Sequence, residues 1–480
     1  MDILAFILGL ILVLNITLAF TIVFLERKNP TSTWAWLLVL TFVPLGGFFL
    51  YLIFGRKLSK HKLFVWDNKS RLGVKKAVQN QLQLLKEGSF PIPPQYQPHK
   101  DLFYMHLKNN DAILTENNKV DVFNDGKKKF DALIEDIEQA KHHIHILYYI
   151  VRSDELGQRI ANALKKKAKQ GVEVRFLYDD MGSRKLKKSY VKDLREAGVV
   201  VESFFPSLIP KINMKINHRN HRKLAIIDGK VGYIGGFNIG DEYLGYNRKF
   251  GYWRDTHLRV EGEAVRNMQT RFILDWNQAS KRRIIQYEPA YYQAIPQGDV
   301  GMQIVSSGPD SEWEQIKNGY IKMIMEAQDY VYIQTPYFIP DESLADAVRI
   351  ASLSGIDVRI MIPNKPDHPF VYWATYSYVG NMLDAGAKIY IYQNGFLHSK
   401  TIMVDGKLAS VGTANIDVRS FRLNFEVNAF LYDQNVTQRL VGDFYNDMNN
   451  SYLFTLEDYQ KRSYWIRFKE SVARLISPIL

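Results

Sequence analysis

A chain of 480 residues with 46% hydrophobic and 23% charged side chains has globular composition and room for two or three domains, which excludes a minimal module or a disordered polymer. Sixty-two Lys and Arg against 50 Asp and Glu leave a formal charge of +12, favouring an anionic partner: nucleic acid, an acidic membrane face or a phosphorylated substrate. The absence of cysteine removes disulfides, thiolate zinc sites and cysteine nucleophiles.

The apolar excess lies at the front. Residues 3–25 carry no charge and one strongly polar side chain, Asn15. As a single helix they would reach about 35 Å, enough to cross hydrocarbon. A cleaved signal peptide would need a basic leader and a small-residue cleavage site; this chain starts Met-Asp and closes the run with Glu26-Arg27-Lys28. After a polar turn at Pro30, residues 34–54 form a second uncharged run with Trp34, Trp36 and Tyr51 near its ends, and Pro44, Gly46 and Gly47 are expected to kink it. Residues 1–57 therefore read as a membrane module with two spans, about 3–25 and 34–54. Arg56, Lys57, Lys60 and Lys62 follow the second span, whereas the loop between spans offsets Arg27 and Lys28 with Glu26. That bias predicts a cell-membrane protein, multi-pass, with the long C-terminal part cytoplasmic.

Residues 58–117 are polar and mixed and read as a connector around the proline cluster PIPPQYQPH at 91–99. Beyond them the chain repeats itself. AKHHIHILYYI at 140–150 matches AQDYVYIQTPYF at 327–338, QGVEVRFLYDD at 170–180 matches SGIDVRIMIPN at 354–364, and AGVVVESFF at 197 matches AGAKIYIYQ at 385. Helical periodicity alternating with β-branched runs predicts α/β layers in two similar halves, 118–290 and 291–480. The first half carries an extra loop, SLIPKINMKINHRN at 207–220.

Each aligned series ends in the same triplet: HRKLAIID at 221–228 and HSKTIMVD at 398–405. In extended chain, residues two apart share a face, so His221 projects with Lys223 and His398 with Lys400. Asp228-Gly229 and Asp405-Gly406 are hairpin-turn signals. A turn accounts for either aspartate without catalysis, so structural and catalytic roles both stay open for Asp228 and Asp405. Asn238 and Asn415 follow at equal spacing, and the set suits the oxygens of a phosphodiester. Two histidines answer why the pattern occurs twice: one can attack phosphorus while the other protonates the leaving alcohol. Asp255 in YWRDTH and Glu426 in NFEVN occupy matching places, where a carboxylate can hold an imidazole tautomer or belong to a solvated strand face. At the C-terminus, Trp465, Phe468, Val472, Leu475 and Ile479 share one helical face, with Lys461, Arg462, Arg467, Lys469 and Arg474 supplying charge. That pattern fits either a membrane-surface helix or one docked on the core.

With both H-x-K-x4-D motifs complete and followed by Gly235-Gly236-Phe237-Asn238 and Gly412-Thr413-Ala414-Asn415, the chain resembles the phospholipase D superfamily. Within it, RKNPTSTWAWLLVLTFVPLGGFFLYLIFG, GFNIGDEYLG, YWRDTH, SSGPD, TPYFIPD and GFLHSKT are similar to the bacterial cardiolipin synthase family, over nearly the whole chain. The resemblance implies two phospholipase D-like α/β sandwich halves sharing one active site behind two transmembrane helices. It also implies a two-step phosphatidyl transfer between two phosphatidylglycerol molecules that yields cardiolipin and glycerol, with no cofactor and no metal. By that analogy His221 is the nucleophile and His398 the general acid and then base, in a catalytic set of His221, Lys223, Asp228, His398, Lys400 and Asp405. Lys223, Lys400, Asn238 and Asn415 would bind phosphoryl oxygens, and Asp255 and Glu426 would orient the histidines. Partners would be phosphatidylglycerol and cardiolipin in the membrane, with no nucleic acid. A hydrolytic membrane phospholipase D, a transferase using another alcohol such as serine, and a non-catalytic scaffold binding anionic lipid are the rival readings.

Overall fold

The computed structural model describes residues 3–25, 30–51, 68–90, 92–206, 217–280, 282–311 and 313–477. It divides into two compact units, 1–63 with 207–218, and 64–206 with 219–480.

In the first unit α1 covers Ile3–Phe20 and passes into a wider π-turn at Thr21–Leu25; α2 covers Pro30–Phe42 and α3 Pro44–Leu50. Val43 leaves helical geometry (φ −129°, ψ 62°) because Pro44 crowds the residue before it, so the expected kink is a break. Ile22, Leu40 and Tyr51 pack together, and the Asn15 side-chain amide donates to the Leu40 carbonyl at 3.3 Å. Phe6, Leu10, Leu12, Val13, Ile16, Phe20 and Phe42 are exposed. Among the described residues no helix is long and apolar enough to cross a membrane. α1 has 18 residues, about 27 Å, and the 34–54 run is split at Val43 and ends beyond the described residues.

The second unit opens with α4 (Asn68–Glu87) and α5 (Lys100–Asn110). The expected connector over 58–117 is, in its described part, folded. Val78, Leu85, Tyr96, Leu102, Phe103 and Leu107 are buried among residues of the second half, and Gln303 donates to the Phe103 and Ala112 carbonyls.

The first half runs β1 (Asn118–Phe123), α6 (Gly126–Gln139), β2 (His143–Tyr148), α7 (Glu155–Lys169), β3 (Glu173–Asp179), α8 (Lys188–Glu196), β4 (Val200–Phe204), β5 (Arg219–Asn220), β6 (Leu224–Ile227), β7 (Val231–Gly235), β8 (Trp253–Arg254), β9 (His257–Gly262) and α9 (Val265–Ala279). Its sheet has the order β1-β9-β7-β6-β2-β3-β4, with β2, β3 and β4 parallel and the other neighbours antiparallel. Of the extra loop at 207–220, residues 207–216 lie outside the described residues and Arg219–Asn220 form β5.

The second half runs β10 (Gly301–Ser307), α10 (Gln315–Met325), β11 (Tyr330–Gln334), β12 (Phe338–Ile339), α11 (Glu342–Leu353), β13 (Asp357–Pro363), α12 (Pro369–Asp384), β14 (Lys388–Tyr392), β15 (Phe396–Leu397), β16 (Thr401–Val404), β17 (Leu408–Gly412), β18 (Ile416–Asp417), α13 (Val418–Arg422), β19 (Asn424–Tyr432), α14 (Gln434–Met448), β20 (Ser451–Phe454), α15 (Leu456–Gln460) and α16 (Tyr464–Ile476). Its order, β10-β19-β17-β16-β11-β13-β14-β20, repeats the first sheet strand for strand and adds β20 at the edge. The helices begin alike as well: Asp154 caps α7 and Asp341 caps α11, each carboxylate accepting from an N–H three residues on. Each sheet carries helices on both sides and its own apolar core.

Two short parallel pairings tie the halves together. β5 pairs with the start of β19, and β8 pairs with β15. Each brings the segment just before one motif histidine against the segment that carries the other half's carboxylate. Buried Arg222 reinforces the first, donating to Asp275 Oδ1 at 2.6 Å and to the carbonyls of Glu426 and Ser307. Arg254, bonded to Asp447 at 2.8 Å, reinforces the second.

Candidate active site

His221 and His398 line one cavity of about 750 Å³. His221 Nδ1 lies 2.9 and 3.0 Å from the two carboxylate oxygens of Glu426, and His398 Nδ1 lies 2.6 Å from Asp255 Oδ2. The matching places seen in the sequence are real, but the pairing is crossed: each half's carboxylate holds the other half's histidine. A carboxylate only accepts, so it fixes the proton on Nδ1 and leaves Nε2 with the lone pair. Neither half has a held imidazole without its partner.

Both carboxylates are fully buried. Burial pushes their pKa values up, but the opposing charges outweigh it: Lys400 and His398 pull Asp255 below the usual carboxylate range, and His221 with Lys223 does the same for Glu426. Burial lowers His221, and burial with the Lys400 charge lowers His398 to about 4 despite Asp255. The two lysines are buried and depressed, Lys223 to about 7 and Lys400 to about 8, with desolvation the largest cause and the neighbouring carboxylates opposing it. Lys223 Nζ donates to the His221 carbonyl at 2.6 Å, and Lys400 Nζ donates to the His398 carbonyl and lies 2.9 Å from His398 Nδ1. An anion entering the cavity would raise both lysines, so a phosphodiester draws protons onto them and the site gains positive charge as it binds.

The glycines that trail each motif make room for these supports. A Cβ on Gly236 would sit 1.9 Å from Asp255 Oδ1, and one on Gly412 would sit 2.3 Å from the Asn428 side chain. In the second motif Thr413, at the place of Gly236, donates its hydroxyl to Glu426 at 2.5 Å. Asn238 and Asn415 both line the cavity. Asn238 Oδ1 accepts from the Ile150 N–H at 3.1 Å, whereas Asn415 Oδ1 is buried with no hydrogen-bond partner among the described residues.

Asp228 and Asp405 stand elsewhere, at the far ends of β6 and β16, and the catalytic assignment gives way to the turn. Both have left-handed backbone (φ 53° and 52°). Asp228 accepts three backbone N–H bonds, from Lys141, His142 and His143 at 2.7–2.9 Å; Asp405 accepts from Gln328, Asp329 and Tyr330 at 2.8–2.9 Å. Each clamps its hairpin to the entry of the antiparallel neighbouring strand, β2 in the first half and β11 in the second.

Other cavity residues were given no role by the sequence: Tyr149, whose ring meets His221 edge-on at 4.7 Å, the cations Arg219, at the end of the extra loop, and Arg419, and Trp253 of YWRDTH, 5.1 Å from His398. Tyr149 follows directly on the repeated strand β2, the one hint available. Among the described residues no group of three or more metal-ligating side chains is arranged to hold an ion.

Two imidazoles held by buried carboxylates of the opposite half, with two buried lysines behind them, form an arrangement whose chemistry suits phosphoryl transfer. The family model for the cardiolipin synthase, PLD-like domain matches residues 133–276 and 320–448, and the model for the phospholipase D-nuclease N-terminal region matches 13–56. Cardiolipin synthase of Oceanobacillus iheyensis is 68% identical over the full length of both chains, and the major cardiolipin synthase ClsA of Bacillus subtilis is 58% identical, again over 100% of each. Among solved structures, phosphatidylserine synthase of Haemophilus influenzae superposes with a TM-score of 0.61 over 81% of this chain and 100% of its own; at 15% identity that establishes the fold alone. The chain belongs to the bacterial cardiolipin synthases of the phospholipase D superfamily.

Proposed function

We propose that the protein joins two phosphatidylglycerol molecules into cardiolipin, reversibly, with release of glycerol. His221 Nε2 attacks phosphorus and the bond to the glycerol oxygen breaks, while His398 gives that oxygen a proton. Neutral His398 then takes the proton from a hydroxyl of the second phosphatidylglycerol, whose oxygen displaces the histidine from phosphorus. Lys223, Lys400, Asn238 and Asn415 hold the non-bridging oxygens as charge builds on them. Burial and Lys400 make His398 too weak a base to be protonated near neutrality, and an anionic phosphodiester beside it moves it back toward that range. The observation that carries the reading is the crossed tether: each imidazole needs the other half's carboxylate, so the two work as one site.

Purified protein given labelled phosphatidylglycerol should yield cardiolipin and an equal amount of free glycerol. Phosphatidic acid as the main product would mean water is the acceptor and the enzyme a hydrolase. Phosphatidylserine formed when serine is added would mean another alcohol.

The proposal includes a membrane anchor of two spans, about 3–25 and 34–54, with the catalytic body on the cytoplasmic side. Its support is the charge-free runs, the exposed apolar side chains of α1 and α2, and the basic flank at 56–62, which lies outside the described residues. The C-terminal helix α16 fits the same surface. It docks on α12 and buries Ala473 against Ile339 and Ala374, yet leaves Trp465, Phe468, Val472 and Leu475 exposed beside Arg467 and Arg474; Ile479 lies outside the described residues. In this cysteine-free chain Thr31→Cys should react with an impermeant external thiol reagent. Labelling of His61→Cys instead would reverse the topology.

A further inference from the structure

The pseudo-twofold that relates the halves is broken by charge at two matched places; Arg219, Glu242 and Arg419 line the cavity, and Phe396 lies buried beside it. Two residues before each motif histidine stand Arg219 in the first half and Phe396 in the second. Four residues after each motif asparagine stand Glu242 in the first half and Arg419 in the second. Glu242 lies 3.5 Å from Arg152, an ion pair within the first half. The substitutions sort by location: Arg219 and Arg419 act electrostatically on the same neighbour, Tyr149, whose ring abuts His221. On the other side, Trp253, Phe396 and Phe250 pack within 4.8–5.5 Å of one another next to His398. Arg219 and Arg419 therefore line the cavity with Tyr149 and the carboxylate of Asp417, whereas Trp253 and Phe250 line it beside His398 with Phe396 packed against them.

The two guanidinium groups repel each other, and burial adds to the cost for Arg219, which is 6% exposed. Asp179 offsets part of that beside Arg219. Both guanidinium groups line the cavity, and planar guanidinium groups match phosphate oxygens in addition to the partners they already have. The motif lysines and asparagines already serve the reacting phosphate, so this pair serves another one.

We propose that Arg219 and Arg419 form a subsite for the non-reacting phosphate of the acceptor, which fixes its free hydroxyl one glycerol away from the reacting phosphorus. This rests on the transferase reading above, and it names what makes an anionic lipid a better acceptor than water or a neutral alcohol.

The test uses soluble acceptors, which separate headgroup recognition from concentration on a lipid surface. The full-length enzyme in detergent, with labelled phosphatidylglycerol as donor, is offered glycerol 3-phosphate and an uncharged diol in competition. The wild type should favour the phosphorylated acceptor, and Arg219→Gln and Arg419→Gln should each reduce that preference roughly tenfold to a hundredfold, the loss expected for one charge-assisted contact. Arg419→Lys should recover part of it, and inorganic phosphate should compete with glycerol 3-phosphate in the wild type more than in the variants. A preference that survives both Gln substitutions, in proteins with wild-type thermal transitions, overturns the subsite. So does an equal fall in use of both acceptors, which would mark a merely structural role. If the wild type makes no cardiolipin from phosphatidylglycerol, the transferase reading fails; if it makes cardiolipin but shows no preference for the phosphorylated acceptor, only the subsite fails.

Discussion

Replacing each histidine's carboxylate by its amide should damage the two halves unequally, and the structure says which suffers more. Asp255 spends Oδ1 on the Thr256 N–H at 2.8 Å and Oδ2 on His398 Nδ1 at 2.6 Å. The Thr256 N–H has no freedom to accept, so in Asp255→Asn the amide oxygen must stay at Oδ1 and the NH2 group must face His398. The imidazole then takes the wrong tautomer, with its proton on Nε2, which in a triad costs about 10⁴ in rate, or about 5 kcal/mol of barrier. Glu426 is different. Asn424 Nδ2 donates to Oε1 at 3.2 Å, while the donor on Oε2 is the Thr413 hydroxyl, which can turn and accept. Glu426→Gln can therefore keep its oxygen at Oε1, 2.9 Å from His221 Nδ1, preserving the tautomer and losing only the charge. That loss is about 3–4 kcal/mol, or 10²–10³ in rate. Single-turnover transfer from labelled phosphatidylglycerol measures both, with thermal unfolding as the control for folding. Glu426→Gln falling as far as Asp255→Asn, or either variant within threefold of wild type, would refute the crossed-tether argument.

Lys223→Met and Lys400→Met should each lower turnover by orders of magnitude with folding intact, since each removes a buried charge from the phosphoryl site; near wild-type rates in either would take that half out of the reaction. Because both lysines are depressed, to about 7 and about 8, their protonated fraction falls as pH rises through that range, so inorganic phosphate should bind more weakly above it and should take up protons at pH 8. Calorimetry in two buffers of different ionisation enthalpy reads this, and zero uptake would contradict it. Asp228→Ala should cost about 2–4 kcal/mol of stability by stripping three backbone N–H groups of their acceptor and leaving alanine at positive φ, with Asp228→Asn milder and the chemistry of the folded fraction spared. Burial raises that carboxyl, but the three N–H bonds hold it lower overall, so its contribution is present above the unfolded pKa and is lost as pH falls through the folded one. Gly236→Ala should mimic Asp255→Asn, because its Cβ would displace that carboxylate; a fully active variant would mean Asp255 does not need its present position.

Period and spacing in the sequence carried the duplication, the α/β layers, the paired H-x-K-x4-D motifs and the membership of Asp255 and Glu426, because these depend on what neighbours along one chain present to one face. Residues 228 and 405 were legible as turns for the same local reason. Which carboxylate serves which histidine was not legible, since either pairing fits the spacing; only the parallel pairings of β5 with β19 and β8 with β15 decide it, by sliding each half's strand against the other half's motif. The polar stretch around the proline cluster gave no sign that α4 and α5 complete the second core, because its apolar positions acquire their partners, such as Tyr432 and Phe430, only across some two hundred residues or more of chain. The charge asymmetry of the cavity was written in the chain at Arg219, Phe396, Glu242 and Arg419, but a difference between repeats has no meaning until the fold sets the two copies face to face around one space. Local sequence determines what each half can do, and tertiary contact determines that neither half can do it alone.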